Sequence, residues 1–313
     1  MKVLPRDFVE TREGLIFAVV DSHVEDNKVL AFLRYAPEGQ GPRKVSTDEA
    51  NGLLAKHYPR YLHHSTRLDA PLHGVPLGDI VHHHRPRERL RIITARGAED
   101  IIEERLLYLV DLLAIKGVPV GDLGVTGSLL IGRQNPASDI DLVAYGSAVF
   151  FSARSAVRRL MDDGELDDLS ESDWREAYAR RQCELDYDEF VWHERRKGNK
   201  GMAGGSKFDL ALIEACPGMA DTLRWRKSGS TVLRARIFDD AGAYGQPSVY
   251  RIDHPEIAEI LSFTHTYTGQ AMSGEWVEAA GSLECCEDGR KRLVIGSSRE
   301  APGEYLRVWR GPE

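Results

Sequence analysis

The sequence predicts an α+β protein: a mixed sheet with flanking helices, carrying β-rich additions at its N- and C-terminal ends. Three observations lead there. Residues 123–126 and 140–145 are short apolar runs of strand character, joined by a Gly-Ser step, one turn of helix and a polar loop at 134–138. Residues 97–117 set Ile101, Ile102, Leu106, Leu109, Val110 and Leu113 on one broad helical face, and residues 147–161 repeat the pattern with Val149, Ala153, Val157 and Leu160. Strand-rich runs gather at 15–20 and 28–35, and again at 275–287, 290–297 and 304–310.

A chain of 313 residues has room for two or three compact units. Composition shifts place them at 1–96, at 97–240 with an acidic insert over 162–189, and at 241–313. The 42% of hydrophobic residues is that of a globular protein rather than a disordered chain. A net charge of −8 argues against a general nucleic-acid-coating role but leaves a local basic site open. Charge and proline interrupt the first seven residues, MKVLPRD, so they do not read as a signal peptide. No apolar run approaches the ~20 residues that cross a bilayer, and a cytoplasmic protein is expected. Cys183, Cys216, Cys285 and Cys286 show no CxxC spacing, which favours reduced thiols.

Taken in order, 15–20 and 28–35 flank Glu25-Asp26-Asn27 as a hairpin turn. Ser46 or Thr47 caps a helix that runs to about Lys56, and Pro59 stops it. Residues 57–84 hold seven of the eleven histidines: His57, His63, His64, His73, His82, His83 and His84. Such a cluster suits zinc or nickel. Pro71, Pro76 and several glycines make it read as a loop-rich crossing, for which packing or hydrogen bonding is the plainer use. Five arginines against Glu88 give residues 85–96 a charge of +4, either a phosphate contact or a solvated linker into the next helix.

Beyond 161 the charge changes sign twice. Residues 162–189 carry −9 with Trp174, Tyr178 and Tyr187 interleaved, the pattern of an exposed helix. Residues 189–207 carry +3 among glycines, either a mobile flap or a hairpin tip. Residues 207–213 form a buried-strand pattern around a single acid, Asp209. Strand or helix edge is undecided for 218–240; residues 249–252 read as a strand and 255–263 as a short helix. The final strands form a meander that either makes a small RNA-binding barrel or pairs with the N-terminal hairpin, the second being preferred.

The chemistry concentrates at 122–145. Asp139 and Asp141, two apart on a strand, point to one side, while Ile140 and Leu142 point into a core. Paired carboxylates repel each other and so favour a cation, and hard oxygen ligands suit magnesium or manganese. Gly127 lets the backbone turn sharply and come close to a ligand. Gly127-Ser128, ten intervening residues, then Asp139-Ile140-Asp141-Leu142 resembles the signature of the DNA polymerase beta-like nucleotidyltransferase superfamily, with spacing closest to its minimal bacterial and archaeal members. Gly132 falls where many members have a glycine, but Ile131 stands where they often have an arginine, and Arg133 follows one step later. The resemblance covers roughly residues 97–215.

That resemblance implies a nucleotidyltransferase-like sheet and a third carboxylate on a neighbouring strand, for which Asp209 is the match and Glu214 the fallback. It implies two Mg2+ or Mn2+ ions held by Asp139, Asp141 and Asp209, with Asp209 also a candidate base. Gly127 and Ser128 would seat the phosphates of a nucleoside triphosphate, and Arg133, Lys207 and Arg195 would contact them. The implied reaction moves a nucleoside monophosphate to a hydroxyl on RNA, a protein or a small molecule. No template-binding segment is recognisable, which disfavours a polymerase. Two alternatives stay open: an inactive nucleotide- or nucleic-acid-binding adaptor, and a metal-dependent nucleotide phosphohydrolase.

Overall fold

Among the described residues, hydrophobic alternation sorts the strands into three sheets. The computed structural model describes residues 1–39, 41–214, 224–296 and 301–310. The chain begins with β1 (Phe8–Thr11), β2 (Ile16–Glu25), β3 (Lys28–Glu38) and β4 (Gly41–Lys44), then α1 (Thr47–His57). Next come β5 (Leu62–Ser65), β6 (Ala70–Pro76), β7 (Ile80–His84), α2 (Pro86–Arg96) and α3 (Ile101–Ile115). The Gly-Ser region follows: β8 (Leu123–Val125), the single-turn α4 (Gly127–Leu130) and β9 (Ile140–Tyr145). After it lie α5 (Ser147–Asp162), α6 (Glu171–Arg181), α7 (Tyr187–Lys197), β10 (Lys200–Ala203) and β11 (Ser206–Ile213). The last strands are β12 (Trp225–Asp239), β13 (Ser248–Asp253), β14 (Ile257–Ser262), β15 (Trp276–Cys286), β16 (Lys291–Ile295) and β17 (Tyr305–Val308).

The protein is therefore α+β, but it divides into two units rather than the expected three. One comprises 1–66, 70–167 and the described residues of 201–220; the other comprises 67–69, 168–200 and the described residues of 221–313.

In the first unit, the N-terminal sheet has the order β5-β6-β3-β2-β1-β7, with β4 on the edge of β3. Asp26 and Asn27 both adopt left-handed backbone, at φ 49° and 60°, which suits the turn to the twist of the β2–β3 hairpin. Ser46 caps α1 in a reciprocal capping box with Glu49, so the helix starts where the sequence indicates. The expected loop-rich crossing at 57–84 is instead built from β5, β6 and β7. Prolines are compatible with this because Pro71 and Pro76 sit at the start and end of β6. Leu15, Phe17, Val29, Leu33, Leu54 and Tyr61 are among the residues packed inside.

The same unit contains a mixed sheet of order β10-β11-β9-β8. β8 runs antiparallel to β9, and β9 runs parallel to β11. Helix α5 packs on β9 and β11, and α3 packs on α5. Asp100 caps α3 by accepting from the Ile102 and Glu103 amides. The glycine-rich 198–205 stretch matches the hairpin alternative: Gly198 ends α7, and Gly204 and Gly205 make the turn between β10 and β11.

In the second unit, β12, β13, β14, β16 and β15 pair in succession, and a further β12–β15 pairing closes the ring into a small barrel. The strands at the two ends of the chain lie in different sheets, so they do not pair into one β-rich module. Residues 257–262 form the strand β14, not the expected helix, because Ile257, Ile260 and Leu261 pack in the barrel wall between β13 and β16. The acidic insert is no solvated appendage either. Trp174 and Phe190, from α6 and α7, join Leu233, Ile237, Tyr250 and Leu293 in one apolar cluster. Buried Lys197 donates to Glu194 and to the Thr266 carbonyl (2.6 Å). Cys183, Cys285 and Cys286 are free thiols, while Cys216 lies outside the described residues.

Trp174 is 1% exposed, whereas Glu176 on the same helix is exposed. Trp174→Ala should therefore cost about 3–5 kcal/mol and Glu176→Ala under about 0.5 kcal/mol. Urea midpoints measure both, and equal losses would contradict the packing described for α6.

Candidate functional site

The site forms where β9 and β11 begin. Ile140, Leu142, Phe208 and Leu210 are all buried, so the aspartates alternating with them point to the other face. The parallel register sets Asp209 directly beside Asp141, as Phe208 lies beside Ile140 and Leu210 beside Leu142. Asp139 and Lys207 each stand one residue before the Ile140–Phe208 pair. Asp139, Asp141, Lys207 and Asp209 are all half-buried. Glu214, the fallback for the third acid, is exposed beyond the end of β11.

Gly127 closes the other side. Its φ of +66° is left-handed, and a Cβ added there would overlap Asp141 Oδ2. The Thr126 amide donates to the Asp141 carbonyl (2.9 Å), pinning the turn to β9. Ser128 is half-buried beside Gly127, and its carbonyl accepts from the Arg133 amide (2.9 Å). The Arg133 guanidinium lies against Gly41, at the start of β4.

Burial pushes the Asp141 carboxyl up to about 6, and the charges of Asp209 and Asp139 push in the same direction. The positive charges of Arg6 and Lys44 oppose that rise. Neither cation stands out in the sequence, because both reach the site through the N-terminal sheet. Arg6, in left-handed backbone at φ 73°, accepts from Thr126 Oγ1 at its carbonyl (2.9 Å). Lys44 is paired across strands with Tyr35, which packs with Phe8, Ile16 and Leu130 of α4.

Most of the basic strip at 85–96 is the helix α2 rather than a linker, and four of its arginines meet acids. Arg89 donates to the Leu129 carbonyl (2.9 Å) and to buried Glu103 (3.1 Å), which also pairs with Arg96 (2.6 Å). Arg85 pairs with Glu88 and Arg87 with Asp122. Of these contacts, that of Arg89 with the Leu129 carbonyl ties α2 to α4. Arg195, expected at the triphosphate, belongs to the second unit on α7, where Asp168 holds it at 2.9 Å. It is not among the residues that the first unit gathers. Among the described residues, no helix is long and apolar enough to cross a membrane.

The arrangement collects three carboxylates, a close-approach glycine and two cations that moderate the acid charge. No family model and no solved structure matches the chain. Among curated proteins it is similar to the uncharacterized protein MJ1086 of Methanocaldococcus jannaschii, 35% identical over 340 residues, covering 99% of this chain and 100% of that one.

Two predictions follow from the site. Gly127→Ala should destabilise by roughly 1–3 kcal/mol through left-handed strain and the clash with Asp141. Part of that loss should disappear in an Asp141→Ala background, and a double-mutant cycle showing strict additivity would contradict the contact. The raised Asp141 carboxyl makes a second. Its folded value lies above its unfolded one, so its contribution to stability is complete below about pH 4 and lost as pH rises through about 6. Without metal, Asp141→Asn should match the wild type near pH 4 and exceed it at pH 7.5 by on the order of 1–2 kcal/mol, allowing for partial exposure. Chemical denaturation at the two pH values measures this.

Proposed function

The chain belongs to the family of the Methanocaldococcus jannaschii protein MJ1086, and we propose for it a metal-dependent nucleotidyltransferase activity. A nucleoside monophosphate passes from a nucleoside triphosphate to an acceptor hydroxyl in the cytoplasm, on RNA, a protein or a small molecule. The register of β9 and β11 carries this reading, because it sets Asp209 beside Asp141 with Asp139 two residues away. The Gly127–Ser128 turn packed against Asp141 supports it as the phosphate side of a nucleotidyltransferase-like sheet.

The donor set fits divalent ions. The crowding of Asp141 by the charges of Asp209 and Asp139 is relieved by a hard cation, and Mg2+ or Mn2+ meets that description. Asp139, Asp141 and Asp209 would hold two such ions. When bound, the ions lower the pKa of the acceptor hydroxyl and neutralise charge on the departing pyrophosphate.

The remaining work falls to the chain. Gly127, lacking a side chain, lets the backbone approach the triphosphate, with Ser128 beside it. Arg133 and Lys207 contact the phosphates. The charges of Arg6 and Lys44 favour the ionised form of Asp141. Asp209 accepts the proton of the acceptor hydroxyl as that oxygen bonds to the α-phosphorus and the bond to pyrophosphate breaks.

Incubation with the four α-labelled triphosphates, Mg2+ and cell lysate tests the proposal. Label should enter an acceptor, and Asp141→Asn should reduce transfer at least about 100-fold. Undiminished transfer in that variant would refute the assignment. Acceptor-independent release of phosphate or monophosphate would favour the phosphohydrolase, and binding without turnover the inactive adaptor.

A further inference from the structure

The histidines of 57–84 have different surroundings. Buried His73 accepts from the Leu33 amide at Nδ1 (2.8 Å) and meets Asn51 Oδ1 with Nε2 (3.0 Å). His83 pairs with Asp7 (2.7 Å) and His84 with Glu10 (3.0 Å), from the neighbouring strand or just before it. These are structural contacts. His63 stands apart: its side chain is only 8% exposed, yet its Nε2 is buried without a hydrogen-bond partner. A buried polar atom left in that state is destabilising until something binds it.

What faces His63 is acidic. Its Nε2 lies 3.9 Å from Glu25 Oε2, and one ligand atom each from His63, Glu25 and Asp26 all fall within 4.8 Å of one another. Glu25 ends β2, Asp26 opens the β2–β3 turn and His63 lies on β5. Other contacts hold these groups in place. Glu25 accepts from Ser65 Oγ (2.6 Å), the Thr66 amide (2.7 Å) and Thr66 Oγ1 (2.8 Å), which orient its carboxylate. Gly74 leaves the space the imidazole occupies, since a Cβ there would lie 2.9 Å from His63 Cβ and 3.1 Å from its Cγ. Lys28, opposite Glu25 in register, sends its ammonium to the Arg60 carbonyl (3.4 Å).

We propose that His63, Glu25 and Asp26 form a divalent transition-metal site, with zinc as its ion. An imidazole nitrogen with two carboxylates selects zinc over magnesium, and three protein ligands leave one position for water. The ion fastens strand β5 to the tip of the β2–β3 hairpin and gives His63 Nε2 its missing partner. The site shares no residue with the carboxylate cluster on β9 and β11, so it stands whether or not that cluster transfers nucleotides.

The test uses the full chain, stripped with chelator and titrated with Zn2+ by calorimetry, with Co2+ absorption reporting ligand geometry. Zinc should bind at His63 in the micromolar range or tighter and raise the melting temperature by roughly 5–10 °C at a hundredfold excess over Kd. His63→Gln should abolish this binding, Asp26→Asn should weaken it at least about tenfold, and Asp141→Asn should leave it unchanged. Asp26 is exposed in a turn that Asn also accepts, so that variant decides the matter should His63→Gln fail to fold. The proposal is overturned if the wild type binds no zinc at micromolar concentrations. Wild-type affinity in Asp26→Asn, or in a folded His63→Gln, would overturn it as well.

Discussion

Like charges are not brought side by side in a sheet unless something stronger holds the strands in register. Here that force is burial of the alternate residues. Ile140 and Leu142 on β9, and Phe208 and Leu210 on β11, all lie in the core under α5. Each buried side chain of this size contributes about 1.5–3 kcal/mol, so together they outweigh the repulsion between Asp141 and Asp209. A slip of one residue would turn the apolar set outward and the acids inward, which fixes the register strongly. The cluster's electrostatic tension is thus sustained by the hydrophobic face behind it.

The N-terminal sheet completes that cluster. It packs Phe8, Ile16 and Tyr35 against Leu130, fixing α4, and brings the charges of Arg6 and Lys44 to bear on Asp141. From the opposite side, Arg89 holds the Leu129 carbonyl while its charge is balanced by buried Glu103. A turn as short as α4 has little stability of its own. Its position is set by neighbours distant in sequence, which explains why the β-rich N-terminal residues and the mixed sheet form one unit.

Local features were legible in the sequence: the Asp26-Asn27 turn, the Ser46 cap, the α3 face apart from Ile101, which is exposed, and the Gly127 turn between β8 and β9. Asp209 was legible too, because one acid among Phe208, Leu210 and Leu212 demands an explanation. Non-local features were not. Nothing near Arg6 or Lys44 marks them as neighbours of Asp141, since that proximity arises only when the N-terminal sheet folds. Arg195 lies in the other unit, on α7, which joins the barrel through Phe190. The histidine segment read as loop because prolines and polar residues mask its strands at the margin of the N-terminal sheet. The strand at 257–262 read as helix because short apolar runs carry too little periodicity to separate the two.

If Asp209 acts together with Asp141 as one metal-binding group, substitution of either should cost metal binding alike. Electron paramagnetic resonance of Mn2+ tests it directly, by counting the ion bound with a nucleoside triphosphate to the wild type and to Asp209→Asn and Asp141→Asn. Each substitution should weaken nucleotide-dependent Mn2+ binding by a similar factor, about tenfold or more. Wild-type Mn2+ affinity in Asp209→Asn, alongside a loss in Asp141→Asn, would contradict it.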